Sequence, residues 1–596
     1  MSISEHTQSQ SAAWADVGSH VGAESEQGTR ATSLVLGITL TVLLVYEGVL
    51  LFNFVASNIA PYFPRAYDQA VYLTDSYRIY ENMRTLGLRE GLVQSFPRLP
   101  PAGMLIEPLA AVTYVVLGPG RLSALLINII AFQVLLGVGA YVLHRTYGPA
   151  SAAVYLGVLL AVTTVANQAG GVGDFRFDFV AMCLWGVLLA LTLYIPVSRK
   201  PLLVGGLAAL TGGLLILSRT FTIVYVIPLY SILFFVTIMR RRRKTQGPIP
   251  TFNALAYAIP LACWSIAALV VAVANLQKLF DYYVQGHLVG AEKQIRAAEQ
   301  GVISLADSVA FYPQSLVASQ LGVVAVVLLG AILAYCVVRI AVDRSPRRVA
   351  MAAAQPLGVL IIASLVVYVT LTSDEAKSPV VADIFVPAVA LAAATLVGVV
   401  DTASRQGSRS ASSMATTLVA GAVLAVGTLA QLNLLISSPG PGSDLTNANE
   451  ADRMLLTAGS YIQNNLGGTA AWTSDAHLDF KFSGAVSAYN YEQTGAFLDV
   501  RGTAVGQGSV DTTLSRDEIL GVLAASDVLI LPVNDVDAPT LYPIDIEIAS
   551  MLPELRNWAT THMRPLGKFE LYGRTVQLYV RNPTTQASES SRSNAA

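Results

Sequence analysis

Residues 64–78 read PRAYDQAVYLTDSYR, a polar, tyrosine-rich stretch between two long hydrophobic runs. It is predicted to be the first segment that the chain presents outside a membrane. If the stretch is helical, Asp68 and Asp75 are seven residues apart and lie within about 20° on one face. Tyr72 and Arg78 lie near that face, and such groups can bind a sugar hydroxyl and a phosphate. An interfacial helix with an aromatic belt and solvated charges fits the same pattern.

The composition is that of a polytopic membrane protein. Hydrophobic residues make up 54% of the 596 residues, charged residues 13%, and the mean hydropathy is +0.55. Soluble domains carry about 25% charged residues, so a soluble enzyme is excluded. The net charge of −2 predicts no nucleic-acid partner. Cys183, Cys263 and Cys336 lie inside apolar runs, which predicts buried thiols and neither disulfides nor a metal cluster.

Common catalytic motifs are missing from the sequence. There is no GxxxxGK[ST] loop, HExxH helix, CxxC pair or GxSxG elbow. Nucleotide hydrolysis, zinc proteolysis and serine hydrolysis therefore have no support, and energy coupling through ATP is not expected within this chain.

Eleven hydrophobic runs are long enough to predict membrane spans. They cover residues 33–55, 121–143, 150–168, 179–195, 201–217, 221–239, 251–274, 316–338, 351–371, 384–400 and 412–436. Residues 1–30 predict a disordered cytoplasmic tail, and the first run is too long and too far from the start for a cleaved signal peptide. The apolar piece 104–117, interrupted by Pro108, is predicted to be re-entrant or to lie on the membrane surface.

The distribution of basic residues predicts the orientation. With the N-terminus in the cytoplasm, fourteen Lys and Arg residues fall on the cytoplasmic side and three in the short outer loops. The fourteen are Arg145, Arg199, Lys200, Arg240, Arg241, Arg242, Arg243, Lys244, Arg339, Arg344, Arg347, Arg348, Arg405 and Arg409, and the three are Arg176, Arg219 and Lys377. Loops 56–101 and 275–315 and everything after 437 are then outside the cytoplasmic membrane.

The chain beyond residue 437 predicts a small extracytoplasmic α/β domain over 437–581. Residues 451–466 have the pattern of an amphipathic helix, 525–533 that of a buried strand, and 569–581 that of a hairpin turning near Gly573. The polar residues 582–596 predict a second disordered tail.

A second acidic motif lies at residues 170–179, GGVGDFRFDF, between the third and fourth predicted spans. Asp174 and Asp178 are four residues apart, so they share a face if the segment is helical, and Arg176 lies between them. The glycines would let the backbone approach a ligand closely. Alternatively, Asp178 only caps the fourth span and pairs with Arg176.

Three further polar residues complete the predicted outer set. Arg219 is a charged break between two apolar spans, so it needs a partner from a ligand or from elsewhere in the fold, unless it snorkels to the surface. Lys377 lies in a polar loop before a span, and His287 lies in the loop 275–315. A lone loop histidine is more often a surface residue than a ligand.

The layout resembles the glycosyltransferase C superfamily, in particular the branch of protein O-mannosyltransferases and lipid A aminoarabinose transferases. The matching positions are Asp68-Gln69, Pro100-Pro101, Gly118 and Arg121, the segment 173–188, and the stretch 377–387. Gln69 stands where the family has Glu. The resemblance covers about residues 33–400. Together with the eleven predicted spans, it gives an all-α, glycosyltransferase-C-like membrane domain of about eleven helices over 31–436, and it implies a bacterial cell envelope.

The resemblance also implies a reaction. A polyprenyl-phosphate sugar would be the donor, and a glycan, lipid or protein outside the cytoplasm the acceptor. Asp68, or else Asp174 or Asp178, would be the catalytic carboxylate, with Asp68 as general base of an inverting transfer. Arg219, Lys377 and Arg176 would bind the departing phosphate, and Asp75, Tyr72, Arg78 and His287 the substrates. No metal site is predicted, although a divalent metal remains possible.

Two other functions stay open at this point. A transporter or flippase for a lipid-linked sugar would carry charged or Pro/Gly-broken positions deep in several spans, and here the polar residues gather at one side. A noncatalytic membrane scaffold would use its outer domain to bind a glycan or a partner.

Overall fold

The structure is a computed structural model. It describes residues 26–64, 68–95, 102–243, 251–289, 292–342, 346–374, 376–405, 411–437, 442–465, 472–474, 482–498, 500–502, 515–537, 543–571 and 573–581. The chain divides into two units, residues 1–50 and 51–596. The predicted tail 582–596 lies outside the described residues, as does most of the tail 1–30.

The described part of the chain is mostly helical. In chain order the helices are α1 (Glu26–Asn58), α2 (Asp68–Leu86), α3 (Leu88–Ser95), α4 (Ile106–Leu117), α5 (Arg121–Tyr147), α6 (Pro149–Ala161), α7 (Phe177–Tyr194), α8 (Pro201–Ser218), α9 (Ile223–Arg243), α10 (Thr251–Leu279), α11 (Glu292–Glu299), α12 (Leu305–Ser315), α13 (Gly322–Val342), α14 (Pro346–Ser373), α15 (Val386–Arg405), α16 (Ala411–Ser437), α17 (Gly442–Asn465), α18 (Phe482–Thr494), α19 (Arg516–Ala524) and α20 (Pro543–His562). Residues 26–30, predicted to belong to the tail, instead begin α1, where Glu26, Gln27 and Arg30 are good helix formers.

The long apolar helices make this a multi-pass membrane protein. Within the described residues, nine helical segments are long and apolar enough to cross a membrane. Two further predicted spans correspond to the shorter apolar helices α6 and the 254–269 part of α10. The predicted run 150–168 is not one helix, since α6 ends at Ala161 and a 3₁₀ turn, Thr163–Ala166, follows.

The predicted surface element 104–117 is α4, which has two different faces. Leu109, Val112 and Val116 are exposed, whereas Glu107 and Tyr114 are buried toward α2. An exposed apolar face opposite a buried face fits a helix that lies at the membrane surface.

The membrane helices of residues 51–596 pack through small residues. At the crossing of α6 and α16, a Cβ on Gly427 would lie 2.1 Å from the carbonyl oxygen of Gly157. Between α8 and α10, Gly212 leaves room for Trp264, whose indole N–H donates to the carbonyl of Ala209 at 2.8 Å. Small residues let these backbones approach closely, which is how helices associate without a hydrophobic driving force.

The part of the chain after residue 437, called the outer domain after its predicted location, contains a five-stranded sheet in its described residues, with the order β2-β1-β3-β5-β4. Its strands are β1 (Trp472–Ser474), β2 (Val500–Gly502), β3 (Val528–Pro532), β4 (Met563–Leu571) and β5 (Arg574–Arg581). β1 pairs parallel with β2 and β3, whereas β5 pairs antiparallel with β3 and β4. The predicted α/β class is confirmed, as are the buried strand, which is β3, and the hairpin turning at Gly573 (φ +71°).

Candidate functional site

Six charged side chains from four segments form the acid–guanidinium cluster: Asp68, Asp174, Arg176, Asp178, Arg219 and Asp383. Asp68 opens α2, and Asp174 and Arg176 lie in the loop before α7. Asp178 is in the first turn of α7, Arg219 follows α8, and Asp383 lies in the 3₁₀ segment Pro379–Phe385. Residues far apart in sequence therefore meet where these helices begin or end.

Arg176 lies among three carboxylates. Its Nη2 is 3.6 Å from Asp68 Oδ2 and 3.5 Å from Asp178 Oδ2, and its Nε is 3.9 Å from Asp174 Oδ2. Burial lowers the pKa of Arg176, but Asp174 and Asp68 more than offset this effect, so the pKa is raised and the guanidinium stays charged.

Hydrogen bonds from Gly170 and Asn128 fix the position of Asp174 in the loop before α7. The Gly170 N–H donates to Asp174 Oδ2 at 2.6 Å, and Asn128 Nδ2 donates to the Asp174 carbonyl at 2.8 Å. Gly170 has φ +77°, and a Cβ there would lie 2.3 Å from Val380. The glycines were predicted to admit a ligand, but in the described structure Gly170 serves this internal packing and the hydrogen bond to Asp174.

Asp178 and Arg219 form an ion pair between the start of α7 and the turn after α8. The Asp178 side chain is 1% exposed and that of Arg219 22% exposed. Asp178 does not cap α7 in the predicted way, since the cap residue is Arg176 and makes no side-chain cap bond. Its position in the first turn still favours a negative charge through the helix dipole.

The turn that carries Arg219 is held by the main chain. The Met104 N–H donates to the carbonyl of Leu217 at 2.7 Å, and the Thr220 N–H donates to the carbonyl of Ala102 at 3.1 Å. The Arg219 guanidinium also lies 5.9 Å from the centre of the Phe177 ring, in cation–π geometry. The partner that the sequence required for Arg219 thus comes from elsewhere in the fold.

Asp383 belongs to the cluster but was not predicted. Its carboxylate is buried and interacts electrostatically with Arg219 and Arg176. Its Oδ2 accepts no hydrogen bond among the described residues. A single acidic residue in the apolar run 379–400 is a functional signal by default, and this signal could have identified it.

Tyr72 joins the cluster from α2. Its ring packs on Phe177 with centroids 4.8 Å apart. Burial, reinforced by Asp68, raises the pKa of Tyr72 well above 10, so the phenol remains a hydrogen-bond donor. Tyr282 interacts electrostatically with Tyr72, and Tyr283 stacks on Phe221 in the Arg219 turn. Aromatic rings with polar tips, such as these, are suited to line a sugar site.

Asp75 and Arg78 lie farther along α2 than the cluster. Asp75 is about 10 Å farther along α2 than Asp68, and it pairs with the exposed Arg78 at 3.1 Å. Arg78 also faces Phe497 of the outer domain at 5.9 Å. His287 lies in the π-helical stretch Phe280–Val289, and its side chain is outside what the structure describes. The role of each of these three residues in substrate binding stays a prediction.

Lys377 is buried at the end of α14. Its Nζ donates to the carbonyls of Leu371 at 3.2 Å, Thr372 at 2.8 Å and Asp374, and it lies 5.4 Å from the centre of the Tyr312 ring. A cation at a helix C-terminus satisfies the last carbonyl groups. In this arrangement Lys377 binds the protein's own backbone.

The cluster's donor set does not suit a metal ion. Each of its carboxylates faces a guanidinium group. Among the residues that the structure describes, no three His, Cys, Asp or Glu side chains are grouped so that they could hold a metal.

Solved structures match the fold of almost the whole chain. ArnT from Cupriavidus metallidurans in the apo state gives a TM-score of 0.56 at 11% identity, covering 91% of this chain and 98% of that one. ArnT from the same organism bound to undecaprenyl phosphate gives 0.54 at 13% identity, covering 90% and 97%. The Archaeoglobus fulgidus oligosaccharyltransferase gives 0.46 at 12% identity, covering 82% and 67%. Family models and curated protein sequences give no match.

Proposed function

We propose that this chain, which has the fold of the glycosyltransferase C superfamily, is a membrane glycosyltransferase. It moves a sugar from a polyprenyl-phosphate donor to an acceptor outside the cytoplasm. The lipid-phosphate donor is suggested by the undecaprenyl phosphate bound to ArnT. The acid–guanidinium cluster is the active site.

The observation that carries this proposal is the unequal exposure of the carboxylates. The Asp68 side chain is 35% exposed, whereas those of Asp174 and Asp178 are 3% and 1% exposed. Asp383 is also buried. Of these four groups, Asp68 is the one that an acceptor hydroxyl can reach, so Asp68 acts as general base.

The transfer is a single displacement at C1 of the sugar. The acceptor oxygen forms a bond to C1 while the bond between C1 and the phosphate oxygen breaks. The hydroxyl proton goes to Asp68, and the electron pair of the broken bond leaves with the polyprenyl phosphate. A retaining enzyme would need a second reachable carboxylate as nucleophile. Asp174 and Asp178 are buried and ion-paired, so the transfer inverts the configuration.

Arg219 is the best-suited group for the leaving phosphate. Its guanidinium is paired with Asp178 on one side and remains 22% exposed. A planar guanidinium can bind phosphate in bidentate fashion and stabilise the charge that grows as the bond to C1 breaks. Arg176, which contacts three carboxylates, orients Asp68. Lys377 supports the site by holding the end of α14.

The test is transfer by the purified full-length protein from a labelled polyprenyl-phosphate sugar. Asp68→Asn keeps the shape of the side chain but cannot accept the proton. Turnover should therefore fall by about 10²- to 10⁴-fold. Binding of polyprenyl phosphate should stay within about twofold of wild type, because Asp68 does not contact the phosphate in this mechanism.

The matched control is Glu90→Gln, which removes a carboxylate from the exposed α3, where Glu90 accepts a hydrogen bond from Gln94. It should transfer like wild type. Wild-type turnover in Asp68→Asn refutes the assignment of the base. Movement of the intact donor across a vesicle membrane, without transfer, indicates a transporter instead.

A further inference from the structure

A buried ion pair joins the outer domain to the membrane domain. Arg121, the first residue of α5, places Nη2 2.6 Å from Glu492 Oε2, and its Nε donates to Glu492 Oε1 at 3.3 Å. The two side chains are 3% and 8% exposed. The Tyr77 hydroxyl of α2 also donates to Glu492 Oε1, at 2.7 Å. Burying two charges costs several kcal/mol each, so the pair is tolerated only with full hydrogen bonding.

The other guanidinium N–H groups of Arg121 donate hydrogen bonds to the segment that precedes α2. Nη1 donates to the carbonyl oxygens of Ile59, at 3.4 Å, and Tyr62. One guanidinium therefore connects three segments, the turn after α1, the start of α5 and α18 of the outer domain. Glu492 connects a fourth segment, α2, because it accepts the hydrogen bond from Tyr77.

The contacts between α18 and α2 continue on both sides of this pair. Thr74 Oγ1 donates to the carbonyl of Gly484 at 3.2 Å. Tyr491 stacks on Tyr77 with ring centroids 4.8 Å apart, and its hydroxyl donates to Glu81 at 2.5 Å. One face of α2 is therefore occupied by the outer domain.

The outer domain also shares its hydrophobic core with the start of α2. Phe63 and Ala70 belong to the same buried cluster as Met454, Val486 and Val576 of the outer domain. The Phe63 and Tyr489 rings lie 5.1 Å apart. The outer domain as folded here is not a separate module, because part of its core comes from the membrane-proximal chain.

The opposite face of α2 carries the active-site groups. Asp68 lies near Arg176, and Tyr72 packs on Phe177. A helix moves as one body, so contacts at Thr74, Tyr77 and Glu81 set the position of Asp68 and Tyr72, which lie between about half a turn and three and a half turns away.

We propose that Glu492 is a positioning residue of the active site: through Arg121 and Tyr77 the outer domain holds α2, and with it Asp68 and Tyr72, in the geometry for transfer. The kinetic part of this inference rests on the proposed function. The structural part, that Glu492 holds α2 in place, does not.

The experiment compares Glu492→Gln with Glu554→Gln in the full-length protein. Glu492→Gln keeps the volume of the side chain and leaves Arg121 buried without a counter-charge. Glu554→Gln removes the same charge from an exposed pair with Arg516 on the surface of the same domain. Amide hydrogen exchange over residues 68–86, turnover, and binding of polyprenyl phosphate are measured for each.

In Glu492→Gln, exchange of the α2 amides should rise by about tenfold or more, because breaking a buried pair allows local opening. Turnover should fall by about tenfold while phosphate binding stays within about twofold, since the described ion pair and ring contact of Arg219 are with Asp178 and Phe177 of α7. Glu492→Asp, which keeps the charge on a shorter side chain, should recover part of the turnover. Glu554→Gln should match wild type in all three measurements.

The alternative is that the ion pair of Arg121 and Glu492 only stabilises the outer domain. The measurements distinguish this alternative from the inference. Wild-type exchange over α2 in Glu492→Gln overturns the inference. Loss of phosphate binding in parallel with turnover, without recovery in Glu492→Asp, also overturns it. If wild type transfers no sugar, the proposed function fails, and the exchange data alone decide whether Glu492 holds α2.

Discussion

Arg219 has a partner within the protein, Asp178, and in the proposed reaction a second one, the donor phosphate. Arg219→Ala removes both. It should lower the free energy of unfolding by about 3–5 kcal/mol, because Asp178 stays buried with less compensation. It should also weaken binding of polyprenyl phosphate. Thermal unfolding and binding of the purified variant measure the two effects.

The double variant Arg219→Ala with Asp178→Asn separates the loss of stability from the loss of phosphate binding. Removing the buried carboxylate should restore most of the thermal stability, whereas phosphate binding should remain weak. Recovery of phosphate binding in the double variant would mean that Arg219 only neutralises Asp178.

Glu107 should make stability depend on pH. It is fully buried in the first turn of α4, and neither carboxyl oxygen accepts a hydrogen bond among the described residues. Burial, with a further contribution from Asp75, raises the pKa of Glu107 from 4.5 to about 8. Between these values the folded protein keeps a proton that the unfolded chain loses. The free energy of unfolding should therefore fall as the pH rises from about 4.5 to about 8, by up to about 1.4 kcal/mol per pH unit.

Glu107→Gln cannot ionise, so its melting temperature should decline less over the same pH range. Glu90→Gln, which changes an exposed carboxylate on α3, should keep the wild-type dependence. Parallel pH profiles for wild type and Glu107→Gln would show that Glu107 ionises freely in the folded state.

The sequence identified those charged groups that stand in conspicuous polar motifs. Asp68, Asp174, Arg176, Asp178 and Arg219 were all selected as site residues, and the fold brings them together. Asp383, Glu107 and Glu492 were missed, although the position of Asp383 as a single acid in an apolar run is itself a signal. Asp383 and Glu107 are single acids in apolar runs, and Glu492 lies in a different domain from its partner Arg121. Their roles depend on contacts that sequence spacing does not contain.

At the level of elements, the α6–α16 crossing offers a direct test of packing. Gly427→Ala would place a Cβ 2.1 Å from the carbonyl oxygen of Gly157 and should cost about 1–3 kcal/mol through overpacking. Gly421 lies on the same helix, and a Cβ there would meet nothing within 4 Å. Gly421→Ala should be neutral or stabilising by up to about 1 kcal/mol. Thermal unfolding in detergent compares the two, and equal melting temperatures would contradict the crossing.

Hydrophobic runs predicted the membrane helices well because burial in lipid depends mainly on composition and length. They could not predict where the backbone leaves the helix. The run 150–168 contains the end of α6 at Ala161, and the Thr163 and Thr164 hydroxyls then donate to the carbonyl of Gln320. Residues 102–104 form main-chain hydrogen bonds with the Arg219 turn. Because these bonds do not depend on side chains, no sequence pattern predicts them.

At the scale of the whole molecule, the predicted topology is testable with cysteines on exposed positions. Glu90→Cys and Thr561→Cys should react with an impermeant thiol reagent in intact cells, because loop 56–101 and the domain after 437 are predicted to lie outside. Lys200→Cys, in a connection predicted to be cytoplasmic, should react only after permeabilisation. Labelling is compared with the parent protein, whose Cys183 and Cys336 are buried as predicted, whereas Cys263, which was also predicted to be buried, is exposed on α10.

If Thr561→Cys is protected from the reagent while Glu90→Cys is labelled, the two positions lie on opposite sides of the membrane. This result would contradict the eleven-span topology. The sequence also predicted a boundary near residue 437 from the change in composition, and this boundary stays a prediction. Composition could not show that Phe63 and Ala70 complete the core of that domain, since a shared core depends on packing across the boundary.

The main-chain hydrogen bonds that hold the Arg219 turn have a consequence for laboratory evolution of this scaffold. Met104 and Thr220 contribute backbone N–H groups, which any residue except proline supplies. Asp68, by contrast, is surrounded by side chains that substitutions change. If the proposed reaction holds, libraries that diversify the surroundings of Asp68, with Arg176 and Tyr72 kept, should therefore yield catalysts for new acceptors that retain the lipid-phosphate donor. Gly103, where a Cβ would lie 2.2 Å from the carbonyl oxygen of Ser218, is the position that such libraries must leave unchanged.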